Sequence, residues 1–199
     1  MLMTADPILP DWVFPPAEGF VAEDLDRIPD LPPHTQLIDG SLVFVSPRAP
    51  FHFVAVDTVN GALNDQVPPE FLVARETMIT IGRAQRVEPD VMVIHAEAFV
   101  DLDHADFVAA DVVLAIEVVS PSSRDHDRIR KPQLYAEAGI RHFWRVENEQ
   151  RHAAVFVYEL DQAARKYALT GVHRGKLDLT VPFPIAIDLT QVNRYGPRR

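Results

Sequence analysis

The chain contains no cysteine in 199 residues. This excludes a disulfide framework and a thiolate metal site, and it fits a reducing compartment. No apolar run approaches the roughly 20 residues needed to cross a membrane. The opening stretch MLMTADPILPDWVFPPAEGF also lacks the basic and apolar regions of a signal peptide. A cytoplasmic protein is expected. Glycine is scarce, with 8 residues against 17 prolines, and seven of those prolines fall within the first 33 residues. Residues 1–33 are therefore expected to form a proline-rich arm lying on a core rather than a domain, with AEDLDRI supplying a turn or two of helix. Positive charge is in deficit as well, 19 Lys and Arg against 29 Asp and Glu, a net charge of −10. That balance argues against a protein that coats nucleic acid by bulk attraction. It leaves open an enzyme that uses a metal ion and a local basic patch.

What is present suits one globular domain: 47% hydrophobic and 24% charged residues, in a chain long enough for a single core. TQLIDGSLVFVS places two short strands around Asp39-Gly40, a strong hairpin signal. Phe53, Val56, Val59 and Leu63 have helical spacing and predict a helix over 51–66. EFLVARETMITIG alternates in its second half and reads as a strand, as does PDVMVIH. DVVLAIEVV is a near-continuous apolar run of the kind buried on both faces of a sheet. A helix is expected from about Arg124 to Ala138 with Gly139 as its C-cap. Pro132 either kinks that helix or stands in its first turn. RHFWRVE, AAVFVYEL and RKYALTGVH follow as strands, the last two joined around DQAA. KLDLTV and IAIDL precede a tail, 191–199, that ends in Arg198-Arg199. Strands and helices in this order give a mixed α/β domain with a central sheet over 34–190.

One residue breaks the apolar pattern: Glu117, inside the LAIEVV strand. An ionised carboxylate there is costly without a cationic partner. Asp90, at the start of the VMVI strand, and Lys131, in the following helix, suggest what it meets. Two carboxylates on adjacent strands can share a hard divalent cation such as Mg²⁺, with a lysine near the reacting groups. Each residue also has a structural explanation. Glu117 could pair with Lys131, Arg124 or Arg128; Asp90 could cap local amides; Lys131 could pair with Asp127 one turn earlier. His52 either caps its helix or faces the site, Ser120 before Pro121 is a turn residue, and Tyr135, Phe143 and Trp144 are expected in the core. The acidic loop DLDHADF, 101–107, lacks the pattern and the glycine of a calcium loop.

The ordered set Pro89-Asp90, Glu117-Val118-Val119-Ser120-Pro121, Asp127, Lys131, Tyr135-Ala136, Gly139-Ile140 and Phe143-Trp144 resembles the Uma family of restriction endonucleases, within the PD-(D/E)XK nuclease superfamily. LIDGSLVFVSP and His52 extend the likeness over about 34–190. The resemblance implies a restriction-endonuclease-like core with flanking helices and extra C-terminal antiparallel strands. It implies a metal-dependent endonuclease that hydrolyses DNA phosphodiester bonds with activated water. Asp90 and Glu117, with the Val118 carbonyl, would hold Mg²⁺ or Mn²⁺, and Lys131 would assist the attack. The partner would be DNA, and a homodimer is expected by analogy. Val119 stands where the superfamily usually has its lysine, and Gln36 and Ser41 stand where the hairpin commonly carries acids. The missing hairpin acids and the acidic surface motivate one alternative, a catalytically silent binding or assembly module; a metal-dependent hydrolase of another phosphate ester is a further one.

Overall fold

A computed structural model describes residues 14–44, 46–101 and 106–195. The beginning of the proline-rich arm, the middle of the acidic loop 101–107 and the terminal Arg198-Arg199 lie outside the described residues. The arm includes α1 (Asp24–Arg27), and Phe20 and Ala22 pack on Leu37. The expected hairpin forms from β1 (Gln36–Ile38) and β2 (Ser41–Val43). Asp39 and Gly40 both have positive φ, 52° and 71°, as a two-residue type I′ turn requires.

α2 (Pro50–Gln66) places its proline in the first turn, where the missing N–H costs nothing. His52, Val56, Val59 and Leu63 form its buried stripe. Phe53, expected on that stripe, is one position off it and 55% exposed. EFLVARETMITIG is two strands rather than one, β3 (Phe71–Arg75) and β4 (Met78–Gly82). Glu76, at φ 51°, turns the chain between them into a different sheet. β5 (Gln85–Val87) carried no expectation, and β7 (Asp106–Val108), with Phe107 buried, begins within the stretch read as acidic loop; three residues give too little alternation to recognise.

β6 (Val91–His95) and β8 (Val112–Val118) are neighbours within a six-stranded sheet. They are flanked by β9 (His142–Glu149), β10 (His152–Asp161) and β11 (Lys166–Arg174), giving the order β11-β10-β9-β8-β6-β3. β8 and β9 are parallel; the other neighbours are antiparallel. A second sheet has the order β2-β1-β5-β4-β7, and β12 (Lys176–Leu179) pairs with β13 (Ile185–Asp188).

The large sheet separates two cores. On one face Leu114, Ile116 and Val118 pack with Val59 and Leu63 of α2 and with Leu177 and Ile187. On the other, Met92 and Ala115 pack with Ile79 and Val87 of the second sheet and with Leu134 and Tyr135. A bulge between Val93 and Ile94 in the β6–β8 pairing lets Val112 and Ala115, three residues apart, face the same core.

Residues 124–138 form one helical run, as expected, but 126–130 are π-helical, and α3 (Lys131–Ala138) begins immediately afterwards. The wide turn precedes Pro132, the residue that cannot donate and whose ring crowds the preceding turn. Thus the helix neither stops nor starts at the proline; it widens ahead of it. Gly139, at φ 90°, ends the helix. Its N–H meets Ala136 O at 3.1 Å, and the Ile140 N–H meets Tyr135 O at 3.0 Å, a Schellman-type close.

Candidate active site

Val91 pairs with Ile116 and Met92 with Ala115, so one further step in register sets Asp90 opposite Glu117. Side chains alternate across a strand, so both acids project to the α3 side together with Met92 and Ala115. They are nearly inaccessible, at 3% and 1%. Asp127 and Lys131, four apart, reach the same place from the helical run and are also buried. Arg48 and His52 arrive from the start of α2. The cavity between these elements measures about 50 Å³, and its lining includes Gln36, Arg48, Asp90, Glu117, Asp127 and Lys131.

Asp90 is fixed through both oxygens. Oδ2 accepts the Val118 N–H at 2.7 Å, while Oδ1 accepts from Arg48 Nη1 and lies 3.2 Å from His52 Nε2. Burial acts to raise its pKa, but His52, Arg48 and Lys131 outweigh it and hold the carboxyl below its usual range. Glu117 is treated differently. Its Oε1 accepts from Tyr135 Oη at 2.6 Å, and Lys131 Nζ lies 3.0 Å from Oε1 and 3.1 Å from Oε2. Burial dominates there, and repulsion from Asp127 and Asp90 adds to it. Against the pull of Lys131 the carboxyl is pushed up to about 8.

Asp127 accepts from the Ser123 hydroxyl and lies 3.8 Å from Lys131 Nζ; burial raises its pKa too. Lys131 also donates to Glu88 O at 3.0 Å. Burial opposes its charge, but three carboxylates hold the proton on and raise its pKa. The Tyr135 hydroxyl is pushed well above its ordinary value by burial and by Glu117. Three buried acids thus surround one buried ammonium, and Glu117 absorbs the imbalance by binding a proton more tightly.

The three residues singled out from sequence, Asp90, Glu117 and Lys131, therefore meet. Of the possible cationic partners for Glu117, Lys131 is the one in contact; Arg128 pairs with Glu147 instead. His52 faces Asp90. Tyr135, expected as core packing, is buried but also directs its hydroxyl to Glu117. Arg48 was not singled out, because a loop arginine carries no periodic signal. Gln36 lines the cavity and accepts the Glu88 N–H at 3.1 Å, so it secures the hairpin to the segment before Asp90. The third carboxylate of the site comes from Asp127, on the helical run.

Among the described residues no three of His, Cys, Asp and Glu are arranged as a ready-made metal cage. The donors present are carboxylate oxygens, two of them opposed on neighbouring strands. Mg²⁺ commonly takes one or two carboxylates and completes its shell with water and phosphate. The excess of buried negative charge, expressed in Glu117, also suits an added cation. By donor chemistry the residues fit a hard divalent ion.

No helix among the described residues is long and apolar enough to cross a membrane. No curated protein matches the chain. In fold it is similar to the crystal structure of a "putative nuclease belonging to DUF820" from Anabaena variabilis ATCC 29413. The TM-score is 0.66 at 17% identity, covering 87% of this chain and 97% of that one. At that identity the likeness is one of fold, and it agrees with the restriction-endonuclease-like mixed α/β core. The model of the family described as "Uma2: Putative restriction endonuclease" matches residues 22–191, which takes in the hairpin, β6, β8 and the helical run. The chain belongs to the Uma2 family.

Proposed function

We propose that this protein is a metal-dependent endonuclease hydrolysing DNA phosphodiester bonds, with Asp90 and Glu117 as ligands for Mg²⁺ or Mn²⁺ and Lys131 as the catalytic cation. The observation that carries this is the convergence of two strand-borne carboxylates and a buried ammonium on one cavity. A bound divalent ion would supply charge to a phosphodiester oxygen and acidity to water. The chain's own groups do the positioning. The Val118 N–H presets the orientation of Asp90, and Arg48 and His52 keep that carboxyl ionised. Tyr135 and Lys131 hold Glu117 from two directions. Lys131 has three donors; Glu88 O and Glu117 occupy two of them. The third serves a non-bridging phosphate oxygen or the attacking water, where charge develops. Arg48, partly exposed at the rim, is placed to leave Asp90 for a phosphate.

The test is cleavage of supercoiled and linear DNA with Mg²⁺ or Mn²⁺. The wild-type protein should cut, and Glu117→Gln should lose cutting while keeping its circular dichroism spectrum. Equal cutting by the two proteins overturns the assignment. A panel of nucleotides and other phosphate esters separates a nuclease from a general phosphohydrolase.

A second reading, a nuclease-fold module without catalysis, is favoured by one observation: both site carboxylates already have partners, Asp90 in Arg48 and His52, Glu117 in Lys131 and Tyr135. It requires that the wild-type protein neither cut DNA nor bind Mn²⁺ by calorimetry.

A further inference from the structure

A second cavity, about 420 Å³, lies beside the first; His52 and Ser120 line both. Its lining includes Arg124, Arg128 and Arg151. Arg128 also lines a third cavity of about 530 Å³ farther along the helical run, together with Arg145, Arg165 and Lys166. The three spaces thus form a chain linked through shared walls. Among the described residues, six cationic side chains lie along it beyond the candidate site, on a molecule whose net charge is −10. Two acids, Glu147 and Glu137, line the same two spaces. Glu147 is engaged by Arg128 and Arg145, while the side chains of Arg124 and Arg151 have no carboxylate partner among the described residues.

Arg151 carries a second, independent signal. It occupies the two-residue turn between β9 and β10, where Gln150 and Arg151 have φ of 50° and 74°. Its N–H is held by Asn148 Oδ1 at 2.8 Å. Glycine or asparagine suits such a turn, because a left-handed backbone brings the Cβ of other residues too close to the following carbonyl. The Arg151 side chain is exposed there and has no carboxylate partner among the described residues, which leaves its charge for a partner outside the fold.

We infer that the path from His52 and Ser120 past Arg124 and Arg151 to Arg128 and Arg165 is the track for the phosphate backbone of the nucleic acid strand entering the site. This role rests on the nuclease reading above. Arg124 and Arg151 meet the phosphates nearest the cleaved bond. Arg128, shared by both outer cavities, joins them, and Arg165 and Lys166 meet the backbone beyond it. Local attraction of this kind explains how a strongly acidic protein can hold a polyanion at one surface.

The test is binding of a fluorescein-labelled DNA duplex by the full chain in EDTA, followed by anisotropy across a salt series. Because no divalent ion is present, binding is read without cleavage. Removing one phosphate-binding cation should flatten the log K against log salt slope by about 0.9, so Arg124→Ala with Arg151→Ala should flatten it by about 1.8. Arg75→Ala with Arg83→Ala, off the path, should leave it unchanged. Arg151→Gly separates charge from folding: it should melt no lower than wild type yet bind more weakly. A slope unmoved by the Arg124 and Arg151 changes, or moved equally by the control pair, overturns the track, even where Glu117-dependent cutting persists. Conversely, a Glu117→Gln protein that cuts like wild type overturns the nuclease reading, whatever the salt slopes.

Discussion

Glu117 holds its proton more tightly than a solvent-facing glutamate because it is buried and because two further acids share its single lysine. Its protonation is therefore linked to stability. A carboxyl whose folded pKa lies above its unfolded value stabilises the fold fully below the unfolded pKa, near 4.5. That contribution is lost as pH rises through the folded value, about 8. In EDTA, the melting temperature of wild type minus that of Glu117→Gln should therefore fall as pH is raised through this window. A difference that stays level across the window means that Glu117 titrates like an exposed carboxyl. The same residue was the most legible in the sequence, since a lone acid in an apolar strand needs an explanation that an acid in a loop does not. Asp90 and Lys131 were legible by their order around it. Arg48 and Tyr135 were not: a loop arginine looks like surface, and a buried tyrosine looks like core until its hydroxyl is located.

At the level of elements, the helical run presents two of the site's charged groups, and the widened turn within it sits where those groups are. The π-helical turn at 126–130 carries Asp127 and leads directly into Lys131. The closing turn depends on Gly139 at φ 90°, where a Cβ would also stand 3.1 Å from Arg165 Nη1. Gly139→Ala should cost about 1–2 kcal/mol and lower the melting temperature by some degrees, about 2–4 °C per kcal/mol for a chain of this size. An unchanged melting curve would mean that the helix can close another way. The long elements were readable from periodicity, including this helix and α2. The π turn was not, because 3.6-residue spacing says nothing about one widened turn. Nor was the break between β3 and β4, where a single residue, Glu76, adopts a left-handed backbone that alternation cannot signal.

The whole molecule sets two cores against a central sheet and places the acids at the end of the β6–β8 pair, between α2 and α3. If a divalent ion binds there, it binds the folded state alone, because the two carboxylates are brought together only by sheet register. At about 100 times its Kd the ion should add roughly 2.7 kcal/mol of stability. Mn²⁺ should thus raise the melting temperature of wild type but not of Glu117→Gln; an equal rise in both would place the ion elsewhere. The mixed α/β class was legible from the succession of elements. The second sheet was not, since several of its strands are three residues long and β4 reaches it only through the Glu76 turn.

The bulge after Val93 also bears on how the two acids stay opposed. A side-chain period of two means that a one-residue slip of β6 against β8 would send Asp90 and Glu117 to opposite faces of the sheet. The bulge confines such slips. Pairing on the Asp90 side of Val93 follows one register, and pairing from Ile94 onward follows another. With Val113 of β8 as its extra residue, it acts as an expansion joint: changes toward His95 and Val112 can be absorbed there, leaving the two acids facing each other while the far end of this strand pair shifts.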